Sequence, residues 1–109
     1  MAINTALTKR VREVLAKIEG VEEKKMFRGI AFMVNNKMCV TVGDHRLMCR
    51  IDPLFHEEAV SMEGVTTVKM KERDYIGWVY VDEDIISDKR KLTRWIKLAL
   101  KYNKVITKE

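Results

Sequence analysis

Proline occurs once in this chain of 109 residues, at Pro53, glycine five times and cysteine twice. So few breakers leave little room for a flexible linker, and neither an internal repeat nor a low-complexity segment interrupts the chain. Two cysteines, Cys39 and Cys49, are too few for a disulfide scaffold. Neither belongs to a Cys-x-x-Cys pair, so a zinc or redox motif lacks support. No apolar run approaches the roughly 20 residues of a membrane span. The start, Met1-Ala2-Ile3-Asn4-Thr5, lacks the basic-then-apolar pattern of a secretory leader, and a cytoplasmic protein with free thiols is expected. No metal, cofactor or small-molecule substrate is implied by any motif.

What is present fits a single domain over residues 1–109. Apolar residues make up 47% and charged residues 34%, a balance that suits one core. The net charge is +5, and its placement matters more than its size. Residues 88–104 hold seven Lys/Arg against the lone acid Asp88, a net of +6, whereas residues 1–87 hold 13 basic and 14 acidic side chains, a net of −1. The surplus therefore sits on one terminal segment.

Hydrophobic periodicity predicts the elements. Leu7, Val11, Val14, Leu15 and Ile18 mark an amphipathic helix over 5–19, with Asn4 or Thr5 as cap and Gly20 as its left-handed stop. A short strand follows over 23–27, then three antiparallel strands over 29–34, 38–42 and 47–51. A two-residue turn at Asp44-His45 sets Val40 opposite Cys49 and Val42 opposite Leu47. At Asn35-Asn36, a three-residue loop with a left-handed Asn36 keeps Ile30 and Phe32 on the face of Met38 and Val40, and burial of Phe32 favours that register. It directs Cys49 inward and Cys39 outward. Asp52-Pro53 starts a helix that runs to about Met62 and stops at Gly64. A fifth strand covers 66–70, a charged loop 71–75, and a sixth strand 78–81. Ser87 caps a last helix carrying Leu92, Trp95, Ile96, Ala99 and Tyr102. The expected fold is α+β in two layers, in the order α-β-β-β-β-α-β-β-α, an antiparallel sheet with helices packed on one side.

Two surfaces stand out. Arg90, Arg94, Lys97, Lys101, Lys104 and Lys108 recur at alternating spacings of four and three, opposite the apolar stripe of the last helix. Such a row can track phosphates without reading bases; its plainer reading is a solvated helix face. On the sheet, Ala31, Met33, Cys39, Thr41 and Met48 form a soft strip suited to a partner or a second copy, or to cover by another helix. Asp82, Glu83, Asp84 and Asp88 lack calcium-loop spacing and read as turn and helix-start acids. His45 and His56 have no nucleophile at a motif spacing, and Trp78, Tyr80 and Trp95 read as core aromatics.

With these elements in place, the chain resembles the TfoX/Sxy amino-terminal domain family. The resemblance rests on Lys25-Met26-Phe27-x-Gly29-Ile30-Ala31-Phe32, Asn35-Asn36-Lys37-Met38-Cys39-Val40, Met48-x-Arg50-Ile51-Asp52-Pro53, Met62-x-Gly64-Val65, Gly77-Trp78-Val79-Tyr80-Val81-Asp82 and Leu92-x-x-Trp95. It spans roughly residues 5–103. Arg28 and Asn36 depart from the family, which usually has glycine at both places. The resemblance implies a fold similar to that of type III secretion chaperones, which pair through their sheets. In full-length competence regulators this domain precedes a helical one, and the two assist a transcription activator. The expectation is a non-enzymatic regulatory and protein-interaction domain, a homodimer or the ligand of a protein partner, linked to transcription. The alternative is a weak, sequence-nonspecific nucleic-acid binder that uses the basic helix. A minor third reading is a thiol-dependent enzyme using Cys39 or Cys49.

Overall fold

A computed structural model describes residues 5–26, 29–43 and 45–107, so the predicted cap Asn4, the departure at Arg28, the turn residue Asp44 and the cation Lys108 lie outside the described residues. The helix α1 (Thr5–Leu15) is followed by the strands β1 (Val21–Met26), β2 (Gly29–Val34), β3 (Lys37–Val42) and β4 (Arg46–Arg50). A 3₁₀ turn (Pro53–Phe55), α2 (His56–Val60), β5 (Val65–Met70), β6 (Arg73–Asp82), α3 (Glu83–Ile86) and α4 (Lys89–Thr107) complete the chain. The six strands form one sheet in the order β1-β2-β3-β4-β6-β5, and every neighbouring pair is antiparallel. The fold is α+β, as the sequence pattern predicts.

Side chains alternate across each strand, which sorts the sheet into two faces. Phe32, Val40, Val42, Leu47, Cys49, Val79 and Val81 lie on the inner face and are buried. They join Leu7, Val11 and Leu15 of α1, Ala59 of α2, Ile86 of α3 and Leu92, Trp95, Ile96 and Ala99 of α4 in one core. The helix α4 crosses β3 and β4, while α2 covers β5 and β6. Arg12 grips Glu23 through two bonds of 2.7 Å, tying α1 to the edge strand β1, and this guanidinium holds the Glu23 carboxyl below its usual range.

The β2–β3 hairpin corrects one expectation. Its turn has two residues, not three: Val34 pairs with Lys37, and Asn35 and Asn36 are both left-handed, at φ of 53° and 69°. The irregularity that keeps Phe32 opposite Val40 lies in the strand itself. Met33 pairs with Met38 and Phe32 with Val40, so Cys39 is an extra residue without a partner on β2. Alternation restarts at that bulge. Cys39 is consequently buried in the core with Cys49 rather than on the outer face, and Met38 follows Met33 outward.

Other boundaries also shift. The first helix stops at Leu15 rather than near Glu19 and leaves Ile18 exposed. Asp52 caps as predicted, its carboxylate accepting from the Leu54 amide at 2.9 Å, but a 3₁₀ turn precedes a short α2. Asp88, not Ser87, caps α4, accepting from the Arg90 amide at 2.8 Å. The predicted charged loop over 71–75 is a hairpin. Met70 pairs with Arg73 across Lys71 and Glu72, both left-handed, and Lys69 meets Asp74 at 3.5 Å. Within β6, Ile76, Gly77 and Trp78 are extra relative to β5, because Thr67 faces Val79 and Val68 faces Tyr75. Gly77, at φ of 95°, makes this bulge possible.

Candidate interaction surfaces

The cationic row survives folding as a surface. Arg90, Arg94, Lys97, Lys101 and Lys104 are all exposed on α4, while Leu92, Trp95, Ile96 and Ala99 are buried on its opposite side. Between the side chains of the row lies only shallow, open space, bordered by Arg90, Thr93, Arg94, Lys97, Leu98 and Lys101. No ion pair among the described residues engages any of the five cations. The helix itself carries no carboxylate. Their field is therefore not cancelled within the helix.

The outer sheet face differs from the strip read in the sequence. Ala31, Thr41 and Met48 lie on it but are buried, Met33 is half-buried, and Cys39 points into the core. The groups that reach the surface there are others. Arg46 of β4 sets its guanidinium 3.5 Å from the centroid of the Tyr80 ring. Arg50 stands 5.0 Å from the Trp78 ring and 5.8 Å from the Tyr102 ring of α4. Arg46 is exposed, and Arg50, Trp78 and Tyr80 are half-buried. These are cation–π distances, and each stack fixes an arginine that would otherwise sample many rotamers. Trp78 and Tyr80 are thus not core aromatics; Trp95 is. Parity along β6 carried the signal, since Val79 and Val81 face inward and their neighbours must face out.

Arg46 and Asp82 are direct cross-strand partners on this face. No ion pair joins them among the described residues, for Arg46 leans over Tyr80 instead, and the exposed Asp82 is left beside it.

The remaining candidates have structural roles. Burial pushes the Cys39 thiol up to about 12 and raises Cys49 further, with the charge of Cys39 adding to it. His56 is buried. Its Nδ1 accepts from the Gly77 amide at 2.9 Å, and its Nε2 pairs with Thr67 Oγ1 at 3.0 Å. A backbone N–H can only donate, so Nδ1 must carry the lone pair and Nε2 the hydrogen. His45 is exposed, its Nδ1 3.5 Å from Glu83 Oε1. Among the described residues, no group of three or more His, Cys, Asp or Glu could hold a metal ion, and no helix is long and apolar enough to cross a membrane. Neither histidine is hydrogen-bonded to a thiol among the described residues.

The TfoX N-terminal domain family matches residues 13–102. The chain belongs to that family. No curated protein and no solved structure matches it.

Proposed function

We propose that this domain is a non-catalytic regulatory module that acts by association, forming a two-fold homodimer through the outer face of β4 and β6. Its link to transcription is part of the proposal and rests on the resemblance to competence regulators. The observation that carries the dimer is the Arg46–Asp82 neighbourhood. A two-fold interface is self-complementary: if residue i meets j of the second copy, j meets i. An arginine and a carboxylate side by side on one face, without an ion pair to each other, satisfy that requirement. Arg46 of each copy would meet Asp82 of the other, over a centre of Tyr80 and Trp78. Trp, Tyr and Arg are the residues that dominate interface energetics. The absence of catalysis is supported by thiols that burial holds in the neutral form and by a His56 whose two ring nitrogens are engaged.

Sedimentation equilibrium tests the dimer. Asp82→Arg or Arg46→Asp alone should weaken association at least about tenfold, because each puts like charges face to face. The exchanged pair, Arg46→Asp with Asp82→Arg, should restore it. A wild-type chain that stays monomeric across a wide concentration range would refute the interface.

A further inference from the structure

We propose a second surface: the exposed face of α4 contacts the phosphate backbone of duplex DNA, without reading sequence. Arg90 to Lys104 covers fifteen residues of a single helix, about 21 Å over the steps between them at the helical rise. That is about six base pairs of duplex at roughly 3.4 Å each. All five cations on this line are exposed, and none is ion-paired among the described residues.

The composition of the face separates a polyanion from a protein partner. Lysine is depleted at protein interfaces, which are anchored by aromatic and apolar groups. Here three of the five cations are lysines, and no aromatic ring stands among them. Of the apolar side chains beside them, Leu98 and Leu100 are half-buried against the core, and Val105 is exposed at the end of the row. Attraction on this face is therefore mainly charge. Adenine reading by an amide side chain has no instrument on α4, because Asn103 is buried with its amide donating to Val34 O at 3.0 Å.

The relief of the helix selects the kind of duplex. Depressions of about 210 Å³ and 430 Å³ run along the two flanks of α4, the first reaching Met62 and Ile85, the second Ile18 and Asn35. The helix therefore stands as a ridge. Such a ridge can approach the phosphates that border the roughly 12 Å major groove of B-form DNA, whereas A-form RNA presents a narrow one. Two carboxylates from other elements share these depressions with cations of the row, Glu63 with Arg94 and Glu19 with Lys97, Lys101 and Lys104.

The test is fluorescence anisotropy of a labelled duplex of about 20 base pairs titrated with the full chain. With about four phosphates neutralised, affinity should fall roughly 100-fold between about 50 and 200 mM salt. Duplexes of unrelated sequence should bind within about threefold of one another. Arg94→Gln with Lys101→Gln should lower the salt slope by about two, and Arg94→Glu with Lys101→Glu should abolish binding. Lys24→Gln with Lys25→Gln, on exposed positions of β1, should change neither. Absence of binding at low salt would overturn the proposal. So would a salt slope insensitive to Arg94 and Lys101, equal binding of duplex RNA, or competition by polyglutamate as strong as that by unlabelled duplex. The α4 variants should sediment as the wild type does, so loss of DNA contact and loss of dimer are read separately.

Discussion

Replacing His56 with alanine should destabilise the fold more than any surface change described above. The imidazole is buried and holds two elements to the β6 bulge: the Gly77 amide donates to Nδ1 and Nε2 donates to Thr67 on β5. Truncation leaves a buried N–H with no acceptor, which costs about 1–3 kcal/mol, and strips the Thr67 hydroxyl of its partner for about 1 kcal/mol more. The space once filled by the ring adds about 1 kcal/mol. The sum is about 3–5 kcal/mol, a large part of the 5–15 kcal/mol typical of a domain. At an unfolding entropy of about 2.1 cal/mol/K per residue, 1 kcal/mol corresponds to about 4 °C in a chain of this length, so Tm should drop by about 12–20 °C. Thermal unfolding followed by far-UV circular dichroism measures it. A double-mutant cycle with Thr67→Val should show coupling of about 1 kcal/mol. A Tm within about 4 °C of wild type, or additive losses in the cycle, would refute the hydrogen-bonded role given to His56.

The β5–β6 turn should be improvable. Lys71 and Glu72 sit at φ of 51° and 63°, a conformation that costs roughly 1–2 kcal/mol for each such side chain. Lys71→Asn with Glu72→Gly, the pair that this turn prefers, should therefore gain about 1 kcal/mol after the added entropy of glycine, seen as a higher urea midpoint at unchanged slope. The thiols give a pH dependence with a definite sign. Both are raised in the folded state, so stability is complete below the unfolded thiol value near 9 and falls as pH rises from there towards 12, by up to about 1.4 kcal/mol per unit for each thiol. Urea midpoints at pH 8 and pH 10 should therefore diverge for the wild type and less for Cys39→Ala with Cys49→Ala; equal divergence would contradict the burial account.

The inner face of the sheet was legible because strand alternation and burial enforce the same answer. Phe32, Val40, Val42, Leu47 and Ile51 had to share one side, and they do. Bulges escaped notice because they leave that pattern almost intact. The extra residue at Cys39 changes the direction of two side chains only, so a loop-based register explained the sequence equally well. The β5–β6 hairpin was hidden for a different reason: Lys71-Glu72 has none of the turn chemistry that announces a left-handed pair, and tertiary pairing of Val68 with Tyr75 and Met70 with Arg73 overrides that preference. The α4 face was readable from spacing alone, since 3.6-residue periodicity fixes which side each cation takes. The arginine–aromatic stacks were not, because they depend on which strands become neighbours. Arg46 and Tyr80 are 34 positions apart in sequence and meet only through the β4–β6 pairing.

The two proposed surfaces lie on opposite sides of a two-layer domain, and that arrangement limits what an assembly can do. The inner layer of α4 packs on β3 and β4, so its cations point away from the sheet. A dimer joined through the outer sheet faces would order the layers as helix, sheet, sheet, helix. Its two basic faces would then look in opposite directions, separated by two domain thicknesses, each protomer measuring 37 × 30 × 29 Å. One straight duplex cannot touch both, in contrast to two-fold DNA readers, whose paired helices share one side and one duplex. The dimer would instead hold two duplexes, or two distant segments of one, each by a sequence-blind contact. Any choice of target would then have to come from outside this contact.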